Sequence, residues 1–219
     1  MAVRDSDMSR AVSKAIRSLP VQHCISCALM SVTSHVTAWF TMMVKKVLPS
    51  LSVVLGGAAS GKSVFAENII LHSRLNPVYL ATALIGDDEI KKRVDVHKLR
   101  RSDRWINLEA AFDLSPVLAD RAADQAVLLD CATMWLSNQM MEGTDIAAEQ
   151  VRLLAALKTC AAPIVVVTNE VGQGIVPDNA LARHFREAQG RLNIALAAQA
   201  DLVVQVVAGL SNVLKGDLP

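Results

Sequence analysis

Apolar positions along this chain follow two alternating rhythms. LSVVL (51–55), AVLLD (126–130) and PIVVVT (163–168) are short, nearly unbroken aliphatic runs. Runs of that kind predict strands buried on both faces of a sheet. PVYLAT (77–82) and DLVVQVV (201–207) bring the expected strands to five. Between them the period lengthens. Phe65, Ile69 and Ile70 recur at helical spacing over Lys62 to His72, residues 145–159 are amphipathic, and Asn179 to Ala200 predicts a long helix. Another helix is expected to begin near Ala132. DDEIKKRVDVHKLRR (87–101) predicts a charged helix, with acids in its first turn and bases in its last, as the helix dipole prefers. Strands that alternate with helices through short turns imply right-handed crossovers, and so an α/β fold with a mainly parallel sheet. No internal repeat and no second domain emerge.

Composition narrows the classes. Hydrophobic residues make up 52% of 219, enough to bury a full core. A net charge of +1 gives no basic field for nucleic acid, and 4% aromatics leaves little to stack on single strands. Four scattered cysteines, Cys24, Cys27, Cys131 and Cys160, do not form a disulfide framework, so a reducing, cytoplasmic setting is expected. The most apolar stretch, residues 21–44, is broken by His23, His35 and many hydroxyls, and reads as neither membrane span nor signal peptide.

Residues 1–48 differ from the rest. They are rich in Ser and Thr, and their acids are confined to Asp5 and Asp7. The composition suits a transit peptide, a poorly ordered extension or a segment upstream of a start at Met42 or Met43. An extension without catalytic duty is the expectation, with the functional domain in residues 49–219. His23, Cys24 and Cys27 resemble half a zinc site, but no second pair follows at ligand spacing.

The candidate chemistry begins at GGAASGKS. Gly56, Gly61, Lys62 and Ser63 meet the spacing G-x-x-x-x-G-K-S between a predicted strand and a predicted helix. Glycine lets successive amides turn inward on phosphate oxygens, and the following helix offers its amides and positive dipole end. Lys62 supplies a point charge for the terminal phosphates, and Ser63 a hydroxyl for Mg²⁺. Asp130 ends a strand, where a carboxylate either holds Mg²⁺ or caps the next helix; beside a phosphate loop the metal role is the better reading. On a helix over 87–101, Arg93, His97, Arg100 and Arg101 share one face. Guanidinium neighbours disfavour imidazolium and leave a neutral, nucleophilic ring suited to attack on an α-phosphate. By spacing alone, a histidine on a solvated charged face is several times commoner. Thr168-Asn169-Glu170 closes a strand on the side of the loop, and either faces substrate or makes a turn. His72 and His184 carry no catalytic expectation.

Taken together, LGGAASGKS (55–63), YLAT (79–82), DDEIKKRVDVHKLRR (87–101), Trp105 with Glu109, LLDCATMWLSN (128–138), VTNEVGQGIVPDNALARHFREAQGRLN (167–193) and VVAGL (206–210) resemble one family. It is the bifunctional adenosylcobinamide kinase/adenosylcobinamide-phosphate guanylyltransferase family of cobalamin biosynthesis. The resemblance spans about residues 51–216 and implies a P-loop NTPase (RecA-like) fold in a homo-oligomer, commonly a trimer. It implies phosphorylation of adenosylcobinamide by ATP or GTP, then transfer of GMP from GTP to the phosphate through a guanylylated histidine, here His97. Nucleotide contacts carry over to Leu55, Gly56, Gly57, Ala58, Ala59, Ser60, Gly61, Lys62 and Ser63 in the loop. They extend to Leu80, Ala81 and Thr82, to Lys98, Leu99, Arg100 and Arg101, and to Glu109 and Asp130. Glu109 could accept from the guanine N1–H and amino group. The family commonly has Arg where this chain has Ala59, so one charge is missing from the loop. Two other readings compete: a P-loop small-molecule kinase without a covalent intermediate, and an ATP- or GTP-switch regulatory protein.

Overall fold

The computed structural model describes residues 47–84 and 103–219. The expected helix at 87–101, with His97, Lys98, Leu99, Arg100 and Arg101, lies outside the described residues. So do His23, Cys24 and Cys27. The compact unit that holds the sheet runs from Lys46 to Pro219.

Twelve elements follow along the described chain. They are β1 (Leu51–Gly56), α1 (Lys62–Ser73), β2 (Asn76–Ala81), β3 (Ile106–Glu109), α2 (Ser115–Ala119), β4 (Gln125–Asp130), α3 (Ala132–Glu142), α4 (Ile146–Thr159), β5 (Ile164–Asn169), α5 (Ala180–Gln199), β6 (Leu202–Val207) and β7 (Leu210–Lys215). One seven-stranded sheet has the order β3-β2-β4-β5-β1-β6-β7. All pairs are parallel except the antiparallel β6–β7.

The aliphatic runs form strands because both faces of the sheet are covered. Val53, Leu80, Leu129 and Val166 face one layer, with Trp135, Leu136, Leu153, Leu157, Leu192 and Leu196 from α3, α4 and α5. Val54, Tyr79, Leu128 and Val167 face the other, with Ala66, Ile69 and Ile70 of α1. Neighbouring residues of one strand therefore serve opposite cores, as the two-residue period requires. Each fully buried Leu or Ile contributes about 1.5–3 kcal/mol.

Helix ends are set locally. Asp145 caps α4 by accepting from the amides of Ala147 and Ala148, and Asn179 caps α5 by accepting from that of Ala182. Gly143 ends α3 in the left-handed region.

All five expected strands are present within a residue or so, as are the helices expected outside 87–101. β3, α2 and β7 are additions. β7 is exposed throughout and β3 nearly so, so neither carries the buried apolar run that marks a central strand.

Candidate active site

The phosphate loop leaves β1 at the middle of the sheet and enters α1. Gly61 sits at φ 94° at the start of α1 and brings no side-chain cap, so no side chain competes for the amides of the first turn. Ala59 adopts φ 55°, the left-handed region that favours glycine. Gly57, Ala58 and Ala59 are exposed, and Ser60 to Ser63 are half-buried. Lys62 Nζ donates to the Gly57 carbonyl at 3.1 Å, folding back over its own loop.

The loop is braced from β6 and the turn behind it. A Cβ on Gly56 would lie 2.4 Å from the Val206 carbonyl oxygen, and one on Gly61 would lie 3.2 Å from Gly209 Cα. Gly209 N donates to Ser60 O at 2.8 Å. Only glycine fits where the β6–β7 turn presses on the loop. Sequence reasoning placed VVAGL in the family pattern but gave it no task, because the contact spans about 150 residues.

Next along the carboxyl edge stand the acids. Register pairs Ala81 with both Glu109 and Asp130, which aligns the ends of β3, β2 and β4. Tyr79 Oη donates to Asp130 Oδ2 at 2.9 Å, and the Tyr79 ring packs edge-on against Trp105 with centroids 6.3 Å apart. Leu80 and Thr82 are fully buried. Thr82 Oγ1 donates to Cys131 O at 2.7 Å and accepts from Cys131 N at 2.9 Å, so its hydroxyl is spent on structure. The Leu55 side chain packs on the core. Contacts at Leu55, Leu80 and Thr82 would therefore run through the backbone. Burial, reinforced by the charge of Asp130, pushes the Cys131 thiol up to about 11; Lys62 acts weakly in the opposite sense. Lys62 and Asp130 thus lie close enough for both to act electrostatically on one thiol.

Behind the edge runs a polar network that sequence reasoning missed. Asn138 Nδ2 donates to Thr82 O at 2.7 Å and Ala111 O at 3.0 Å. Thr133 Oγ1 accepts from Asn169 N at 2.8 Å, and Asn193 Nδ2 donates to Asn169 O at 3.0 Å. Gln189 Nε2 donates to Thr168 Oγ1 and Asn193 Oδ1. Gln189 and Asn193 are four apart on the face of α5 that also carries Leu192 and Leu196. A polar i, i+4 pair interrupting a buried helical face was the available signal.

His97 and Lys98 to Arg101 lie outside the described residues; of the others, Asp130 ends a strand two positions from the loop-bearing β1, while Glu109 ends the edge strand β3, four positions away. Among the described residues no group of three or more His, Cys, Asp or Glu could hold a metal, and no helix is long and apolar enough to cross a membrane.

A glycine-rich loop between an interior strand of a mainly parallel sheet and its first helix, with an acid closing a nearby strand, defines a P-loop nucleotide-binding enzyme. The chain belongs to the cobinamide kinase / cobinamide phosphate guanyltransferase family, whose profile matches residues 52–214. It is 42% identical to the bifunctional adenosylcobalamin biosynthesis protein CobU of Salmonella typhimurium, across 74% of this chain and 98% of that one. The CobU of Escherichia coli is 40% identical over the same shares. CobP of Pseudomonas aeruginosa is 38% identical over 75% of this chain and 97% of its own.

Proposed function

We propose that this chain uses ATP or GTP to phosphorylate adenosylcobinamide, then transfers GMP from GTP to that phosphate through a covalent bond to His97. The observation that carries the reading is the braced loop Gly56–Ser63 within a family of cobinamide kinases and cobinamide phosphate guanyltransferases.

In the kinase step the substrate hydroxyl attacks the γ-phosphorus, loses its proton, and nucleoside diphosphate leaves. The loop amides and Lys62 hold the phosphates and offset the charge that spreads over their oxygens. Lys62 must first leave the Gly57 carbonyl. In the transfer step a neutral His97 nitrogen attacks the α-phosphorus of GTP and pyrophosphate departs. The substrate phosphate then displaces the imidazole, giving adenosylcobinamide-GDP. Glu109, which ends β3, would read guanine by accepting from N1–H and the amino group.

A Mg²⁺ ion fits the donors present. Ser63 offers a hydroxyl at the start of α1 and Asp130 a carboxylate whose Oδ2 already accepts from Tyr79, hard oxygens of the kind that bind Mg²⁺ alongside phosphates. Bound there, the ion would neutralise phosphate charge. The reading includes a homotrimer and no nucleic-acid partner.

GTP labelled at its α-phosphate tests the covalent step. The full chain should retain acid-labile, base-stable label after denaturation, and His97→Ala should retain none. Wild-type protein left unlabelled with Mg²⁺ present would instead favour a kinase without an intermediate.

A further inference from the structure

Tyr79 lies on β2 beside Leu128 of β4, in parallel register two positions short of Asp130. Alternate residues of a strand share a face, so Asp130 follows Leu128 onto the side of the sheet that Ala66, Ile69 and Ile70 of α1 cover. That helix begins at Lys62 and Ser63, which puts the carboxylate on the phosphate-loop side of β4. Tyr79 belongs to the same layer, and its Oη reaches forward to donate to Asp130 Oδ2 at 2.9 Å.

The phenol is itself held in place. Tyr79 and Trp105 are each 6% exposed, and their rings meet edge to face with planes at 82°. A buried phenol needs a partner for its O–H, and a backbone carbonyl would serve. Here the partner is instead the acid that ends β4, two places from the loop-bearing β1. A charge-assisted bond to one carboxylate oxygen restrains rotation of the whole group, while a carboxylate has a second oxygen with which to meet a cation.

We propose that Tyr79 is a positioning residue for the ion site: its phenol holds the Asp130 carboxylate in the orientation that receives the Mg²⁺ of the bound triphosphate. The phenol acts through Asp130 alone. This role rests on the reading of Asp130 as a Mg²⁺ ligand, but not on the histidine intermediate.

Isothermal titration of the full chain with α,β-methylene-GTP, which cannot pass on its nucleotidyl group, tests it in Mg²⁺ and again in EDTA. Tyr79→Phe keeps the packed ring and removes only the hydroxyl. It should weaken binding in Mg²⁺ roughly tenfold or more and leave binding in EDTA within about twofold. Asp130→Asn should likewise lose the gain that Mg²⁺ brings. If Tyr79→Phe weakens binding equally in both buffers, or in neither, the phenol is only a satisfied core group; the proposal falls while the reading of Asp130 stands. If Asp130→Asn keeps the full gain from Mg²⁺, or wild type shows none, Asp130 holds no ion at the triphosphate and both fall together.

Discussion

Gly56→Ala tests whether the phosphate loop is held by the sheet behind it. The added Cβ would meet the Val206 carbonyl oxygen at 2.4 Å, about 1 Å inside ordinary carbon–oxygen contact. It would also meet Ser60 Oγ at 2.6 Å, but that hydroxyl can rotate away. The carbonyl cannot. Val206 is fully buried and paired with Ser211 of β7, while β6 is locked to β1 through Leu55 and Gln205. Relief must come from moving the start of the loop by nearly an ångström, an overpacking cost of about 1–3 kcal/mol. For a domain of this size that lowers Tm by about 2–12 °C. A displacement of that size at the phosphate cradle should also cost about 10²-fold in turnover. Gly57→Ala is the internal control, because nothing lies within 4 Å of its Cβ position and its φ is not positive. Its stability should stay within about 0.5 kcal/mol of wild type. Thermal melts of both variants, followed by GTP turnover of Gly56→Ala, decide the matter. Equal melting temperatures for the two would refute the bracing argument.

Three further outcomes are expected. Lys62→Ala should slow phosphorylation and guanylyl transfer alike, by roughly 10²-fold or more, because both draw on one triphosphate cradle; separate assays of each step check this, and loss of only one would argue against a shared site. Asn138→Leu should lower stability by about 2–4 kcal/mol in denaturant titration, since the carbonyls of Thr82 and Ala111 would lose their donor. The Cys131 thiol titrates near 9 when unfolded and near 11 in the fold, so the native state holds its proton longer. Its share of stability is whole below pH 9 and drains away as pH rises to about 11, by at most about 3 kcal/mol. Melts across that window should fall more steeply for wild type than for Cys131→Ala.

What could be read in the sequence was what local pattern encodes. LSVVL, AVLLD and PIVVVT lie in the middle of a doubly covered sheet, so their aliphatic continuity is the signature of their position. The phosphate loop announced itself because glycine spacing, a preceding strand and a following helix coincide within about 20 residues. β7 was hidden by its place at the sheet edge, where every residue is exposed and no burial pattern forms. The five residues of α2 are too few for periodicity to show. Gly209 against Ser60, and Gln189 with Asn193 behind Asn169, are long-range contacts created by the folding of β6 and α5 onto β1 and β5. Glu109 came from family likeness alone; its strand is short and mostly exposed. The site is thus legible where one segment makes it and obscure where distant segments converge.

His97 is the expected carrier of the nucleotidyl group. Full-length protein treated with GTP and Mg²⁺, digested under alkaline conditions and mapped by tandem mass spectrometry should show a guanylyl adduct on the peptide containing His97, at the imidazole. An adduct on another residue, or unmodified peptide from an enzyme that still forms adenosylcobinamide-GDP, would contradict it.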